Sequence, residues 1–145
     1  MRHWILGAVM ALAAGVAAAQ GWYEPARGTA ERAALMDAAR PTAEEALGAP
    51  VEFVVSTLRV SGDVAFASLT AQRPGGVPID LYRTPGYLRG DFYLEVQDPT
   101  GIQALYSRHG TVWVADYVVI GATDVWWVEL CGSEYHPVIS DVCNY

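Results

Sequence analysis

Apolar positions early in the chain carry the spacing of a helix. From Ala30 onward they recur at helical intervals, and Thr29 before them is a favourable N-cap residue. Pro41 interrupts this pattern and predicts either a kinked helix or two short helices, the second covering Thr42–Leu47. Gly48 follows, as is typical of a helix C-terminus. The pattern therefore predicts one N-terminal helix, kinked or split.

The remainder of the chain is dominated by strand-like segments rich in β-branched and aromatic residues. These segments are Val51–Val60, Asp63–Gln72, Ile102–Arg108 and Thr111–Ile120. The steps Ser61-Gly62 and His109-Gly110 separate them in pairs and predict two tight hairpins. A short strand is expected at Phe92–Val96, in the long connection between the hairpins. A helix followed by two hairpins predicts an α+β fold, with a curved antiparallel sheet wrapped on the helix.

The second hairpin can be assigned a register from its loop. With His109-Gly110 as the loop, Tyr106 pairs with Trp113 and Ile102 pairs with Tyr117. This register gives one apolar and aromatic face: Ile102, Ala104, Tyr106, Trp113, Ala115 and Tyr117. The opposite face is mixed: Gln103, Leu105, Ser107, Val112, Val114 and Asp116. We expect the first face to meet the core.

Beyond the sheet, Thr123 is predicted to cap a short helix, and Glu134–Tyr145 is predicted to be irregular. Cys131 and Cys143 are the only cysteines, and a disulfide between them would order this tail. The alternative is a metal site that also uses His136. Only three ligands are visible for it, and their spacing matches no closed zinc pattern.

Residues 1–19 are typical of a cleavable signal peptide. A basic start is followed by an apolar run that ends in Ala17-Ala18-Ala19, the small residues that a signal peptidase requires. Cleavage after Ala19 would leave one α+β domain over residues 20–145, located in the periplasm or secreted. The alternative is a retained membrane anchor, but the run is shorter than the ~20 residues of a spanning helix. We therefore expect no stable membrane insertion after cleavage.

Charge and motifs narrow the function classes. The formal net charge of −7 disfavours nucleic acid and anionic membrane surfaces as partners, because phosphate binding requires a cationic patch. The sequence has no Gly-x-Ser-x-Gly elbow, no glycine-rich phosphate loop and no His-Glu-x-x-His motif, and so implies no cofactor.

Three residues are candidates for a functional site. Asp116 lies in a strand among valines and would become a general base if an apolar cavity enclosed it, whereas on the mixed face it would be solvated. Trp126 and Trp127 offer an aromatic platform for a glycan or a peptide. Neighbouring helical residues point ~100° apart, so one ring would be in the core and one partly exposed.

Several segments carry a resemblance to other proteins. They are Leu58–Phe66 (LRVSGDVAF), Pro74-Gly75-Gly76, Ile79-Asp80, Tyr117–Val125, Trp127, Tyr135 and Pro137. Together they resemble a set of small exported bacterial proteins of unknown function, from which the Cys131–Tyr145 tail departs. The order of helix and sheet also resembles the cystatin and NTF2-like folds, a likeness that transfers no function.

The favoured interpretation is a non-catalytic module of the cell envelope that binds a protein, a peptide or a glycan. One alternative is a small-pocket enzyme or ligand carrier of the NTF2-like kind, with Asp116 or a nearby tyrosine as the acid or base. Another is a cystatin-like protease inhibitor, because Leu58–Gly62 keeps the valine and glycine of an inhibitor hairpin. That segment has leucine where the inhibitors have glutamine.

Overall fold

Four antiparallel strands in the order β1-β2-β3-β4 form one sheet in the computed structural model, which describes residues 21–144. The strands are β1 (Glu52–Ser61), β2 (Val64–Gln72), β3 (Gly101–His109) and β4 (Val112–Ile120). The helices are α1 (Ala30–Leu47), α2 (Pro85–Arg89) and α3 (His136–Ile139). The predicted α+β class, with an N-terminal helix and an antiparallel sheet of two hairpins, is confirmed. The predicted signal peptide lies outside the described residues.

Helix α1 begins and ends at the residues that the sequence indicated. The Thr29 hydroxyl accepts a hydrogen bond from the Arg32 N–H at 3.3 Å, and the Gly48 N–H donates to the Glu44 carbonyl at 2.8 Å. The helix continues through Pro41, so the alternative of two short helices is wrong. Proline removes one backbone hydrogen bond. Burial of the same helix face before and after Pro41 offsets that loss, because the buried residues keep helical spacing: Leu35, Ala39, Ala43 and Leu47.

Both hairpin loops lie one residue later than predicted. Ser61 pairs with Val64 and His109 pairs with Val112, so Gly62 and Gly110 occupy the first loop position. Each of these glycines has a positive φ, 56° and 64° respectively. A two-residue hairpin loop with a left-handed residue only at its first position requires glycine there.

The register of the second hairpin therefore differs from the prediction by two residues. Tyr106 pairs with Ala115 rather than with Trp113, and Trp113 pairs with Arg108. A shift of two keeps every side chain on its predicted face, because side chains alternate with a period of two. The predicted inner face is therefore correct from Ile102 to Tyr106 and at Trp113 and Ala115.

A β-bulge at Asp116 overturns the rest of that face. Leu105 pairs with Tyr117 and Tyr106 with Ala115, which leaves Asp116 as the extra residue. One extra residue reverses the faces beyond it. Tyr117 consequently lies on the outer face and not in the core, and its predicted partner Ile102 pairs with Ile120 instead.

Helix α1 covers the inner face of the sheet and builds the main core with it. Apolar side chains of the helix meet those of all four strands: Leu35, Ala39, Ala43, Leu47, Leu58, Val60, Ala65, Ala67, Ile102, Ala104, Tyr106 and Trp113. Most are fully buried. Among the strands, α1 lies closest to β4.

The segment after β4 covers the opposite, outer face, and we call residues 126–143 the C-terminal cap. Its core is a second cluster of buried side chains: Val64, Phe66, Leu105, Tyr135, Val138 and Ile139. The expectation of an irregular tail is wrong, because α3 and the 3-10 turn Ser140–Val142 lie within it. The outer face of β2 and β3 supplies the apolar surface that orders this segment.

Two smaller elements also differ from expectation. The helix predicted after Thr123 does not form, and a 3-10 turn at Val128–Leu130 replaces it. The strand predicted at Phe92–Val96 is a turn, in which the Gln97 side chain accepts a hydrogen bond from the Tyr93 N–H at 3.0 Å. A local side-chain acceptor thus satisfies a backbone donor that a strand would have paired with its neighbour.

Candidate functional site

Asp116 is an exposed residue at the edge of the C-terminal cap. Its Oδ2 accepts a hydrogen bond of 2.7 Å from the Tyr135 hydroxyl. Burial raises the pKa of the Tyr135 phenol, and the hydrogen bond to Asp116 raises it further. Asp116 lines none of the three cavities described below. In this structure it joins the bulge of β4 to the cap.

Trp126 and Trp127 are both half-buried and use their indole N–H groups internally. Trp126 Nε1 donates to Gln103 Oε1 at 2.7 Å, and Trp127 Nε1 donates to the Val142 carbonyl at 3.4 Å. The two rings are 6.0 Å apart with an angle of 81° between their planes, so they do not form one flat platform. The Tyr117 ring lies 6.0 Å from that of Trp126 at 33°. Trp126 and Tyr117 therefore form the more nearly parallel aromatic pair.

The two cysteines form the expected disulfide. The sulfur atoms of Cys131 and Cys143 are 2.05 Å apart, and His136 Nδ1 lies 2.9 Å from the Cys131 carbonyl oxygen. The alternative metal site needs free thiolates and therefore does not form. Among residues 21–144 no group of three potential metal ligands is found. The disulfide is compatible with an oxidising compartment.

A groove of about 440 Å³ lies between α1 and the first half of β1, and we call it the α1–β1 groove. It is lined by Arg27, Gly28, Thr29, Arg32, Ala33, Met36, Phe53, Val54 and Val55. Its walls are mainly apolar, and its cationic groups lie at the N-terminal end of the helix.

The groove runs along an unpaired sheet edge. Tyr23 exchanges two backbone hydrogen bonds of 2.8 Å with Val60, so the backbone of Val60 points away from β2. Phe53 lies opposite Ala71, Val55 opposite Leu69 and Val60 opposite Ala65. Ala65, Leu69 and Ala71 are alternate residues of β2, so their backbone groups point to the same side of that strand. The backbone groups of Phe53 and Val55 therefore also point outward, and Ser56 is the extra residue of a β-bulge that separates them from Thr57. Within residues 21–144, no backbone hydrogen bond from outside the sheet reaches either residue.

The cationic groups of the groove differ in their availability. Arg32 is held by Glu24 Oε1 at 3.0 Å and by the Pro25 carbonyl at 2.9 Å. Arg27 is exposed and forms no ion pair with any residue that the structure describes. The groove can thus offer apolar contact, backbone hydrogen bonds and one free guanidinium.

Two further cavities flank the sheet. One, of about 320 Å³, lies on the outer face beside Gln103, and we call it the outer cavity. The other, of about 360 Å³, lies beneath the second hairpin beside Arg108 and Trp113. The guanidinium of Arg108 is already used there, since it stacks 5.2 Å from the Trp113 ring and binds Asp63 at 2.9 Å.

Sequence reasoning missed the groove and the outer cavity. The exposed backbone of Phe53 and Val55 leaves no local signal, because it depends on which strand becomes the edge of the sheet. Within residues 21–144 no helix is long and apolar enough to cross a membrane. No protein-family model matches the chain, and neither a curated protein nor a solved structure shows significant similarity to it.

Proposed function

We propose that this protein is an exported, non-catalytic binding module that takes up an extended acidic peptide in the α1–β1 groove. The observation that carries the proposal is the pair of outward-facing backbone positions at Phe53 and Val55 on the groove wall, which receive no backbone hydrogen bond from outside the sheet within residues 21–144. Peptides that add a strand to an exposed sheet edge gain affinity from main-chain hydrogen bonds. The apolar lining favours a peptide with apolar side chains, and the free Arg27 favours one that also carries acidic groups.

The fold already contains one example of this pairing. Tyr23 bridges the same edge of β1 at Val60, with two hydrogen bonds of 2.8 Å. Between that bridge and the start of β1, the edge next to the groove is open. A bound strand would place alternate side chains toward Met36 and Ala33 of α1, and its acidic groups would lie near Arg27.

Two alternatives receive less support from the geometry. A cystatin-like inhibitor would need to present Val60 of the Leu58–Gly62 hairpin, and Val60 is buried in the main core. An NTF2-like enzyme or carrier would need Asp116 inside a cavity, and Asp116 is exposed at the cap edge. The cystatin and NTF2-like folds remain a proposal about architecture, supported by the order of helix and antiparallel sheet.

The test uses an acetylated hexapeptide in which valine and glutamate alternate, titrated into the isotopically labelled protein. Binding should slow hydrogen exchange at the Phe53 and Val55 amides, because strand addition pairs them. Replacing glutamate with lysine in the peptide should weaken binding, and Arg27→Glu should weaken binding of the acidic peptide about fivefold. Arg83→Glu makes the same charge change on an exposed residue that does not line the groove and should leave binding unchanged.

A second variant separates the backbone contribution. Val55→Pro removes one outward N–H and is compatible with folding, because proline is tolerated on an edge strand where the N–H faces away from the sheet. It should abolish binding of the hexapeptide. Ala115→Pro makes the same change on the other edge strand and should bind as the unchanged protein does. Equal binding by Val55→Pro, or no protection of the Phe53 and Val55 amides, would overturn the proposal.

A further inference from the structure

The outer cavity differs from the groove because polar side chains dominate its lining. They come from three parts of the chain that the sheet brings together: Ser68 and Thr70 of β2, Gln103 of β3, and Asp98 and Thr123 of the flanking loops. Val96 and Ala122 add apolar surface, whereas the side chains of Leu69 and Ile102 are buried in the main core. No arginine or histidine lines the cavity. An anionic ligand such as a phosphate therefore finds no counter-charge there.

Hydrogen-bonding capacity in this cavity is largely unused. The hydroxyls of Ser68, Thr70 and Thr123 have no hydrogen-bond partner among residues 21–144. Asp98 accepts from Thr100 through Oδ1, at 3.0 Å from its N–H and 2.7 Å from its hydroxyl, which leaves Oδ2 available. Hydroxyls, a carboxylate and an amide together offer both donors and acceptors.

Gln103 links the cavity to the aromatic residues of the outer face. Its Oε1 accepts from Trp126 Nε1 at 2.7 Å, which assigns the side-chain amide orientation and leaves Nε2 as a free donor. Trp126 does not itself line the cavity, but it holds the Gln103 side chain that does. Hydroxyls, a carboxylate and an amide around a cavity without a cation are suited to a neutral ligand with several hydroxyl groups.

We infer that the outer cavity is a binding site for a neutral carbohydrate, with the polar side chains pairing sugar hydroxyls and Trp126 fixing the orientation of the Gln103 amide. A volume of about 320 Å³ accommodates a single sugar unit. The site is independent of the α1–β1 groove, since no residue lines both. Trp126 and Trp127 do not form a flat platform, but in this site Trp126 has a role through its hydrogen bond to Gln103.

The test is a titration of the labelled protein with glucose, galactose and N-acetylglucosamine, and with the disaccharide of each. At least one sugar should shift the Gln103 side-chain amide and the Trp126 indole N–H signals. Thr70→Val removes one hydroxyl without changing side-chain shape and should weaken that sugar about three- to tenfold, the effect of one hydrogen bond. Thr111→Val is the matched control on an exposed loop and should have no effect.

Two results would overturn the inference. One is the absence of any shift at Gln103 and Trp126 with every sugar of the panel. The other is equal sugar affinity of Thr70→Val and Thr111→Val. Ser68→Ala gives an independent reading of the same cavity if Thr70→Val fails to fold. Binding of the acidic hexapeptide should be unaffected by Thr70→Val, so this site and the groove can fail separately.

Discussion

The two faces of the sheet are buried by different means. On the inner face, α1, the strands and the loops beside them bury nineteen side chains of the described chain in one cluster. On the outer face, the C-terminal cap and the strands bury six. Because hydrophobic stabilisation is roughly proportional to the apolar area removed from water, the inner face must supply most of the stability of the fold.

The cap compensates for its small core with specific polar contacts. Arg59 donates to Asp141 Oδ2 at 2.7 Å and to the Val138 carbonyl at 3.1 Å, and its guanidinium lies 5.0 Å from the Trp22 ring. Tyr135 binds Asp116, and the disulfide closes the segment. These contacts hold the cap at several points without a large buried area. We therefore expect the cap to open separately from the rest of the fold.

Truncation in the inner core should give the largest effect. Leu47→Ala should lower the free energy of unfolding by about 2–5 kcal/mol, because Leu47 is fully buried and the cavity would not refill. Urea denaturation followed by circular dichroism measures the change. Leu88→Ala, at a side chain that is 73% exposed, is the control and should change stability little. A loss below 1 kcal/mol for Leu47→Ala would contradict the assignment of the main core.

Loss of the disulfide should give the next largest effect and should act on the cap. The Cys131→Ser, Cys143→Ser double variant should lose about 3 kcal/mol of stability on the loop-entropy model. Amide exchange in α3 should accelerate, because the cap opens without global unfolding, while exchange in α1 should follow global stability alone. If exchange in α3 and α1 rises by the same factor, the two faces form one cooperative unit.

The ion pair of the cap should give the smallest effect and a defined pH dependence. Hydrogen bonding to Arg59 lowers the pKa of Asp141, so the folded state favours the carboxylate. Asp141 therefore contributes stability above the ordinary aspartate pKa of about 4, and this contribution is lost as pH falls through the lowered value. Because half of the side chain is exposed, the contribution at pH 7 should not exceed about 1 kcal/mol.

The measurement compares the unchanged protein with Asp141→Asn in urea from pH 7 to pH 2. The stability difference should be present at pH 7 and should shrink as Asp141 becomes protonated. Asp80→Asn is the control, since Asp80 lies 3.7 Å from Arg83 in an exposed pair. A difference that is constant across this pH range would contradict the role given to Asp141.

Local signals predicted the elements well and their pairing less well. Thr29 and Gly48 marked the ends of α1, because N-caps and C-caps act through hydrogen bonds to their own helix. The hairpin registers were wrong, since glycine satisfies the positive φ of a loop at either of two positions. The prediction placed Asp116 on the outer face correctly, but in a regular strand. In the structure Asp116 is the extra residue of a bulge, and this moves Tyr117 out of the core.

The candidate site was predictable only in part. Trp126 and Trp127 stood out as adjacent aromatics, and the structure joins Trp126 by a hydrogen bond to Gln103 of the outer cavity. The cavity itself joins β2, β3 and two loops, so no single segment of the sequence contains it. The open edge at Phe53 and Val55 is equally invisible, because any strand can pair on both sides until the sheet order is known.

By itself, the sequence determined the helix, the strand-rich segments, the acidic charge and the presence of two cysteines that can form a disulfide. These follow from periodicity, capping and composition, which act over a few residues. Tertiary structure decided which strand edges stay open, where β4 bulges, and that the C-terminal segment folds onto the outer face. Those outcomes depend on contacts between residues far apart in the chain, such as Arg59 with Asp141. Such contacts gain their energy only once the sheet has formed.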